Sequence, residues 1–301
     1  MKRKVNRVGQ NTLTVSLPAS WVKRSSIESG DEVNVIEQGT SLVVMLEDKI
    51  KPTKAVLDTS KFGFFHKSML SDVYHLGYDE VEVHFKDEKE FKQIQDRLQS
   101  YIGFEVVDQG EKHCLIKDVS KSSELEFDSV LRRIFLLLVD ISDKCVDAIS
   151  NKEFERLKEI RLLEALNNRF TDYCLRVLNK RGYKDEKRRC IIYSLVHDLE
   201  RIGDEYKRIC DYFYEEKKAI SPELLKAFQK ISKYLRAYYE LYYKYDQDRF
   251  RYVLEEGKSI VNNMYSYLGS KNKAEARLAH HLIYITIAIY DLSYTYVEMN
   301  V

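Results

Sequence analysis

Only three of the 301 residues are proline and eleven are glycine. So little interruption of regular structure excludes collagen-like and linker-like chains. Together with 44% hydrophobic and 32% charged residues, it excludes disorder and points to a folded, helix-rich protein. Cysteine is also scarce. Cys114, Cys145, Cys174, Cys190 and Cys210 are odd in number, far apart and without a C-x-x-C pair. This excludes a disulfide framework and predicts buried free thiols in a reducing cytoplasm. No apolar run approaches the roughly 18 residues that span a membrane, and the N-terminus has no signal-peptide core, so neither insertion nor secretion is expected. A surplus of one charge is missing as well: the formal net charge is +1, so any attraction to nucleic acid must be local. No phosphate-cradling glycine loop and no nucleophile–base pair is visible, which argues against an enzyme.

A chain of this length usually outgrows one core. Its punctuation divides it into residues 1–50, 51–119 and 120–301. In the first segment, Lys2, Arg3, Lys4, Arg7, Lys23 and Arg24 occur within 24 residues that contain no acid. The stretch 3–8 reads as a basic strand, Gly9-Gln10-Asn11 as a turn, and 12–17 alternates as a strand. Pro18 suits the opening of a short helix over 19–24. Gly30-Asp31 leads into a strand at 32–36, and Gln38-Gly39 turns the chain into another at 41–46. Clustered Lys and Arg release counterions on duplex DNA, while Gln10 and Asn11 on an exposed turn could reach base edges. So few core positions are marginal alone, and such a unit is expected to dimerise, with Trp21 as a reporter.

The stretches Gly9-Gln10-Asn11-Thr12-Leu13-Thr14-Val15-Ser16-Leu17-Pro18 and Ile27-Glu28-Ser29-Gly30-Asp31-Glu32-Val33 resemble the SpoVT/AbrB family. The resemblance implies a small swapped-hairpin β-barrel, built by two interleaved chains, that binds double-stranded DNA. A dimerisation module with an ordinary basic strand is the alternative.

Residues 51–119 read as β-α-β-α-β-β, with strands at 54–59, 79–85, 104–107 and 113–116 and helices at 64–77 and 88–101. That order predicts a small α/β sandwich that connects and orients its neighbours. His66, His75, His84 and His113 are scattered and read as surface or satisfied core histidines.

From 120 onward the text is helical, with helices expected at 124–150, 152–179, 185–217, 221–245, 247–269 and 273–299. Tyr234, Tyr238, Tyr242, Tyr245, Tyr284, Tyr290 and Tyr294 are expected to bury their rings with hydroxyls at the edge. Ile192, Leu195, Leu199, Ile202, Tyr206, Ile209 and Phe213 make one apolar stripe, while His197, Glu200, Asp204 and Asp211 fall on the opposite side. One reading is a solvated face with Asp204–Arg208 and Arg201–Glu205 pairs. Gly203, costly inside a helix, suggests close packing or an approach to this face.

The run Glu200-Arg201-Ile202-Gly203-Asp204 resembles the E-R-I-G-D helix of the PhoU family, whose members carry E/D-x-x-x-D metal motifs. The resemblance implies two three-helix bundles, or a related two-bundle arrangement. It also implies a divalent or transition metal ion held by Glu200, Asp204, Glu164 and Asn168. Two departures bear on that ion. The family's G-D-H-A is Gly203-Asp204-Glu205-Tyr206 here, and Asn168 stands where the family often has Asp, although Asp172 continues the stripe. Asn supplies no charge, and Lys207 could replace a metal as the counter-charge.

The fold class expected is therefore multidomain α+β: an AbrB-like barrel, a small α/β linker domain and a mostly helical PhoU-like domain. This order resembles archaeal-type regulators that place an AbrB-like domain before a PhoU-like one. The function implied is a cytoplasmic, non-enzymatic, DNA-binding transcriptional regulator linked to phosphate uptake. Its expected partners are duplex DNA, a second copy of itself, and phosphate-transport or signalling proteins. The alternative is an adaptor for a transporter or kinase, with the N-terminal segment serving only to dimerise it.

Overall fold

A computed structural model describes residues 2–38, 41–46, 52–120 and 126–300. The chain divides into two compact units, Met1–Thr53 and Lys54–Val301. No helix among the described residues is long and apolar enough to cross a membrane.

The first unit contains two separate hairpins. Strand β1 (Val5–Val8) pairs antiparallel with β2 (Thr12–Val15) in the register Val5 opposite Val15. Gly9 turns the chain at φ 73°, a left-handed value that suits glycine. Strand β2 stops before the expected residue 17, and Pro18 then caps helix α1 (Ala19–Arg24). The second hairpin joins β3 (Asn34–Gln38) to β4 (Ser41–Met45). Strand β3 lies two residues later than expected, and Gly39 of the expected turn lies outside the described residues. Among the described side chains of this unit, only Leu46 is buried. Val5, Leu13 and Leu42 are 63%, 65% and 67% exposed.

The second unit opens with a four-stranded sheet in the order β5-β6-β8-β7. Strand β5 (Lys54–Asp58) runs parallel to β6 (Glu80–His84); β8 (His113–Asp118) and β7 (Phe104–Gln109) complete it antiparallel. Helices α2 (Lys67–His75) and α3 (Glu88–Leu98) supply the crossovers, and Asp87 caps α3 by accepting from the Glu90 N–H. Leu70, Tyr74, Val81, Val83, Ile94, Phe104 and Ile116 form a core of their own.

Six long helices follow: α4 (Phe127–Ser150), α5 (Leu157–Arg181), α6 (Arg189–Glu216), α7 (Pro222–Tyr243), α8 (Gln247–Leu268) and α9 (Lys273–Asn300). Glu124, the expected start of α4, lies outside the described residues. Helices α5 and α6 begin four or five residues late, because short 3-10 turns at Phe154–Arg156 and Glu186–Arg188 precede them. Helices α4, α5 and α6 pack mutually, as do α7, α8 and α9; α4 meets α7 and α6 meets α9. The two groups share one continuous core rather than two. All seven residues of the predicted α6 stripe are buried.

The tyrosines divide. Tyr234 and Tyr238 are fully buried and donate to the carbonyls of Val253 (2.8 Å) and Leu292 (2.9 Å). Tyr245, Tyr284 and Tyr294 are exposed, against expectation. Cys190 is likewise exposed, while the other four thiols are buried, with Cys145 and Cys210 Sγ atoms 3.3 Å apart.

Candidate functional site

Helices α5 and α6 lie side by side and bring four carboxylates into one stripe. Glu164 on α5 is 3% exposed. Its Oε1 accepts from Asn168 Nδ2 at 2.7 Å and from Lys207 Nζ at 3.3 Å. The same ammonium reaches Asp204 Oδ1 at 3.3 Å. Burial pushes the Glu164 carboxyl above its ordinary range, with Lys207 pulling against it. Glu200 is raised too, first by burial; His197 offsets this, and nearby Asp172 and Asp204 add to it. Its His197 Nδ1 neighbour lies at 3.4 Å.

Asp172 continues the stripe but is engaged from outside the helices. His75 Nε2, at the end of α2, lies 2.7 Å from its Oδ1, and Arg97 of α3 lies 3.9 Å from Oδ2. His75 is thus a satisfied histidine whose partner is 97 residues away in sequence, a distance that local pattern cannot bridge. Asp211, expected on the same side, pairs instead with Arg161 at 2.7 Å.

The expected helix-face pairs are half right. Arg208 reaches Asp204 at 3.7 Å, but Arg201 pairs with Asp198, also at 3.7 Å. Glu205 turns inward instead, where it is held by Arg208 and lies 2.6 Å from His281 Nδ1 on α9. Burial raises this carboxyl, yet His281 and Arg208 outweigh it and keep it below its ordinary value.

Gly203 has the close approach that its position suggests. A Cβ there would lie 3.0 Å from Asn167 Nδ2 and 3.4 Å from Leu138 Cδ2. Both amide atoms of Asn167 and Asn168 Oδ1 are buried without a hydrogen-bond partner among the described residues.

As it stands, the donor set does not fit a resident divalent ion. The Lys207 ammonium occupies the space between Glu164 and Asp204, and Asn168 adds no charge. Among the described residues no three His, Cys, Asp or Glu side chains converge on one point. The stripe can hold and exchange positive charge, and its cations come from α6 itself and from the α/β part.

The other predicted residues belong to the first unit. Lys2, Arg3, Lys4, Arg7, Gln10, Asn11, Lys23 and Arg24 are all exposed. Gln10 and Asn11 sit on the β1–β2 turn, and Lys23 and Arg24 on the last turn of α1.

Residues 131–213, from α4 through α6, match the family model of the PhoU domain. No curated protein and no solved structure matches the chain.

Proposed function

From a chain that carries a PhoU domain over residues 131–213, we propose a DNA-binding regulator of phosphate uptake whose first unit forms an AbrB-like dimer. PhoU-domain proteins are non-enzymatic regulators or adaptors; they self-associate and interact with phosphate-transport or signalling proteins. That domain supports a phosphate-related regulatory role rather than an enzymatic one.

The observation that carries the DNA reading is the first unit's combination of open apolar strands and an acid-free basic stretch over residues 1–24. Two isolated two-stranded hairpins are marginal in water, and Val5, Leu13 and Leu42 lie open on them. A second copy laid against those faces would bury them and close the sheets. It would also double the set of six cations carried by residues 1–24. Such a surface binds phosphate backbones by counterion release.

The test is an electrophoretic shift on genomic fragments over a salt series. Replacing Lys2, Arg3, Lys4 and Arg7 by Ala should flatten the slope of log affinity against log salt by about 0.9 per lost phosphate contact. Wild-type affinity and slope in that variant would place the DNA surface elsewhere. Absence of any binding at low salt would favour the adaptor.

A further inference from the structure

At the far end of α6, away from the acidic stripe, the chain makes a groove of about 1110 Å³ with the start of α9. Its lining is charged on one side of the scale. Lys218, Lys271, Lys273 and Arg277 face it against a single acid, Glu216, in a chain whose total charges nearly cancel. All four cations are exposed, and none has an ion-pair partner among the described residues. Arg277 rests over the Tyr212 ring, 5.5 Å from its centroid, which holds the guanidinium in place. The groove also receives the positive end of a 28-residue helix, since α9 begins at Lys273 with Asn272 capping the Ala274 N–H.

A second observation lies within the groove lining. His281 is 4% exposed and lines the cavity. Its Nδ1, 2.6 Å from Glu205 Oε2, fixes the ring. The opposite ring nitrogen, Nε2, is buried with no hydrogen-bond partner among the described residues. Buried polar atoms are normally paired, so an unpaired one on a residue that lines a cavity has hydrogen-bonding capacity to offer there. In the imidazolium form Nε2 is an N–H donor. A metal ion at this nitrogen would have to sit among four fixed positive charges. An anion meets attraction from all of them.

We infer that this groove binds a free anion bearing several phosphate groups, with Lys273 and Arg277 on its charges and His281 Nε2 donating from within. Ammonium and guanidinium groups suit phosphate oxygens. The cavity is far larger than a single tetrahedral oxyanion needs, and its cations come from both the 217–221 connection and the start of α9. That spread favours a chain of phosphates over one. The inference stands apart from the DNA reading, because no residue of the first unit takes part.

The test is calorimetric titration of the full chain with sodium tripolyphosphate and, separately, with orthophosphate at matched ionic strength. Tripolyphosphate should bind, and more tightly than orthophosphate. Lys273→Gln/Arg277→Gln, which alters exposed side chains only, should weaken it at least tenfold. His281→Phe should weaken it as well. If that variant fails to fold, the exposed double variant decides alone. Ala at Lys2, Arg3, Lys4 and Arg7 should leave tripolyphosphate affinity unchanged whatever it does to DNA. The inference is overturned by no binding at low salt, by wild-type affinity in the double variant, by loss in the N-terminal variant alone, or by orthophosphate binding as tightly as tripolyphosphate.

Discussion

Replacing Arg176 by Met should loosen the α/β part from the bundle more than any other single change at that junction. Arg176 lies on α5 and is 3% exposed. Its guanidinium donates to the Tyr74 carbonyl at 2.9 Å, the Tyr78 carbonyl at 2.7 Å and the Asp118 carboxylate at 2.7 Å. It also lies 4.9 and 4.8 Å from the ring centroids of Tyr74 and Phe104. One side chain therefore holds the end of α2, the turn before β6 and the end of β8. Methionine keeps much of the apolar stem but removes all three donated bonds, leaving the Asp118 carboxylate to Ser120 and to Lys180 at 3.4 Å. Breaking a buried ion pair by removing one partner costs about 3–5 kcal/mol. At about 2–4 °C per kcal/mol for a unit of this size, the midpoint should fall by roughly 6–20 °C. Scanning calorimetry would read that fall. Adding Asp118→Asn should recover part of it, because the buried carboxylate deprived of its guanidinium is then neutral. The pH dependence has a definite sign. Burial raises the Asp118 carboxyl, but Ser120 and Arg176 pull it lower still, below its ordinary value. Its contribution is therefore complete above the unfolded pKa of about 3.9 and is lost as pH falls through the folded value. The gap between wild type and Arg176→Met should narrow in acid. A loss under about 1 kcal/mol, or strict additivity of the two substitutions, would refute this account of the junction.

At neutral pH Glu200→Gln should leave the melting temperature unchanged or raise it. Burial holds this carboxyl above its ordinary value, so its stability is greatest below the unfolded pKa of about 4.3 and declines as pH rises; melts with and without chelator would reverse the outcome if a divalent ion were bound. Gly257→Ala should destabilise by about 1–3 kcal/mol despite alanine's better helix propensity. The new Cβ would lie 2.5 Å from the Tyr234 hydroxyl and 2.9 Å from the Tyr290 ring, whereas Gly203→Ala meets a movable amide and should cost less. Leu13→Asp/Leu42→Asp should be harmless in an isolated chain, since both side chains are exposed, but should dissociate a dimer built on those hairpins. Sedimentation velocity would decide, and a double variant still dimeric would move the interface to the helices.

What the sequence makes legible is whatever a single element determines. The α6 stripe from Ile192 to Phe213 follows from spacing alone, and the β-α-β-α-β-β order of the α/β part follows from punctuation and alternation. Gly203 is readable because a helix tolerates glycine poorly without a packing reason. The residues that escaped are those whose meaning depends on distant partners. Glu205 looks like half of a surface pair with Arg201, yet His281, 76 residues on, draws it inward. Arg176 looks like any cation late in a helix until Asp118 and the Tyr74 carbonyl surround it. His75 carries no local sign of Asp172. The shared core is illegible for the same reason, since helical periodicity shows which face is buried but not what buries it.

That shared core has a consequence for the PhoU match itself. The matched stretch ends at residue 213, but the apolar contacts it needs do not. Phe135 of α4 packs against Tyr238 and Tyr242 of α7, Tyr206 stacks on Phe228, and Glu205 reaches α9. Excised, residues 131–213 would present these inner faces to water and leave the Glu205 carboxylate without His281, with Arg208 alone to hold it. The unit of evolutionary likeness is thus smaller than the unit of folding cooperativity. A substitution deep in α9, well outside the matched stretch, should register in the hydrogen-exchange protection of α4 and α6 as strongly as one within them.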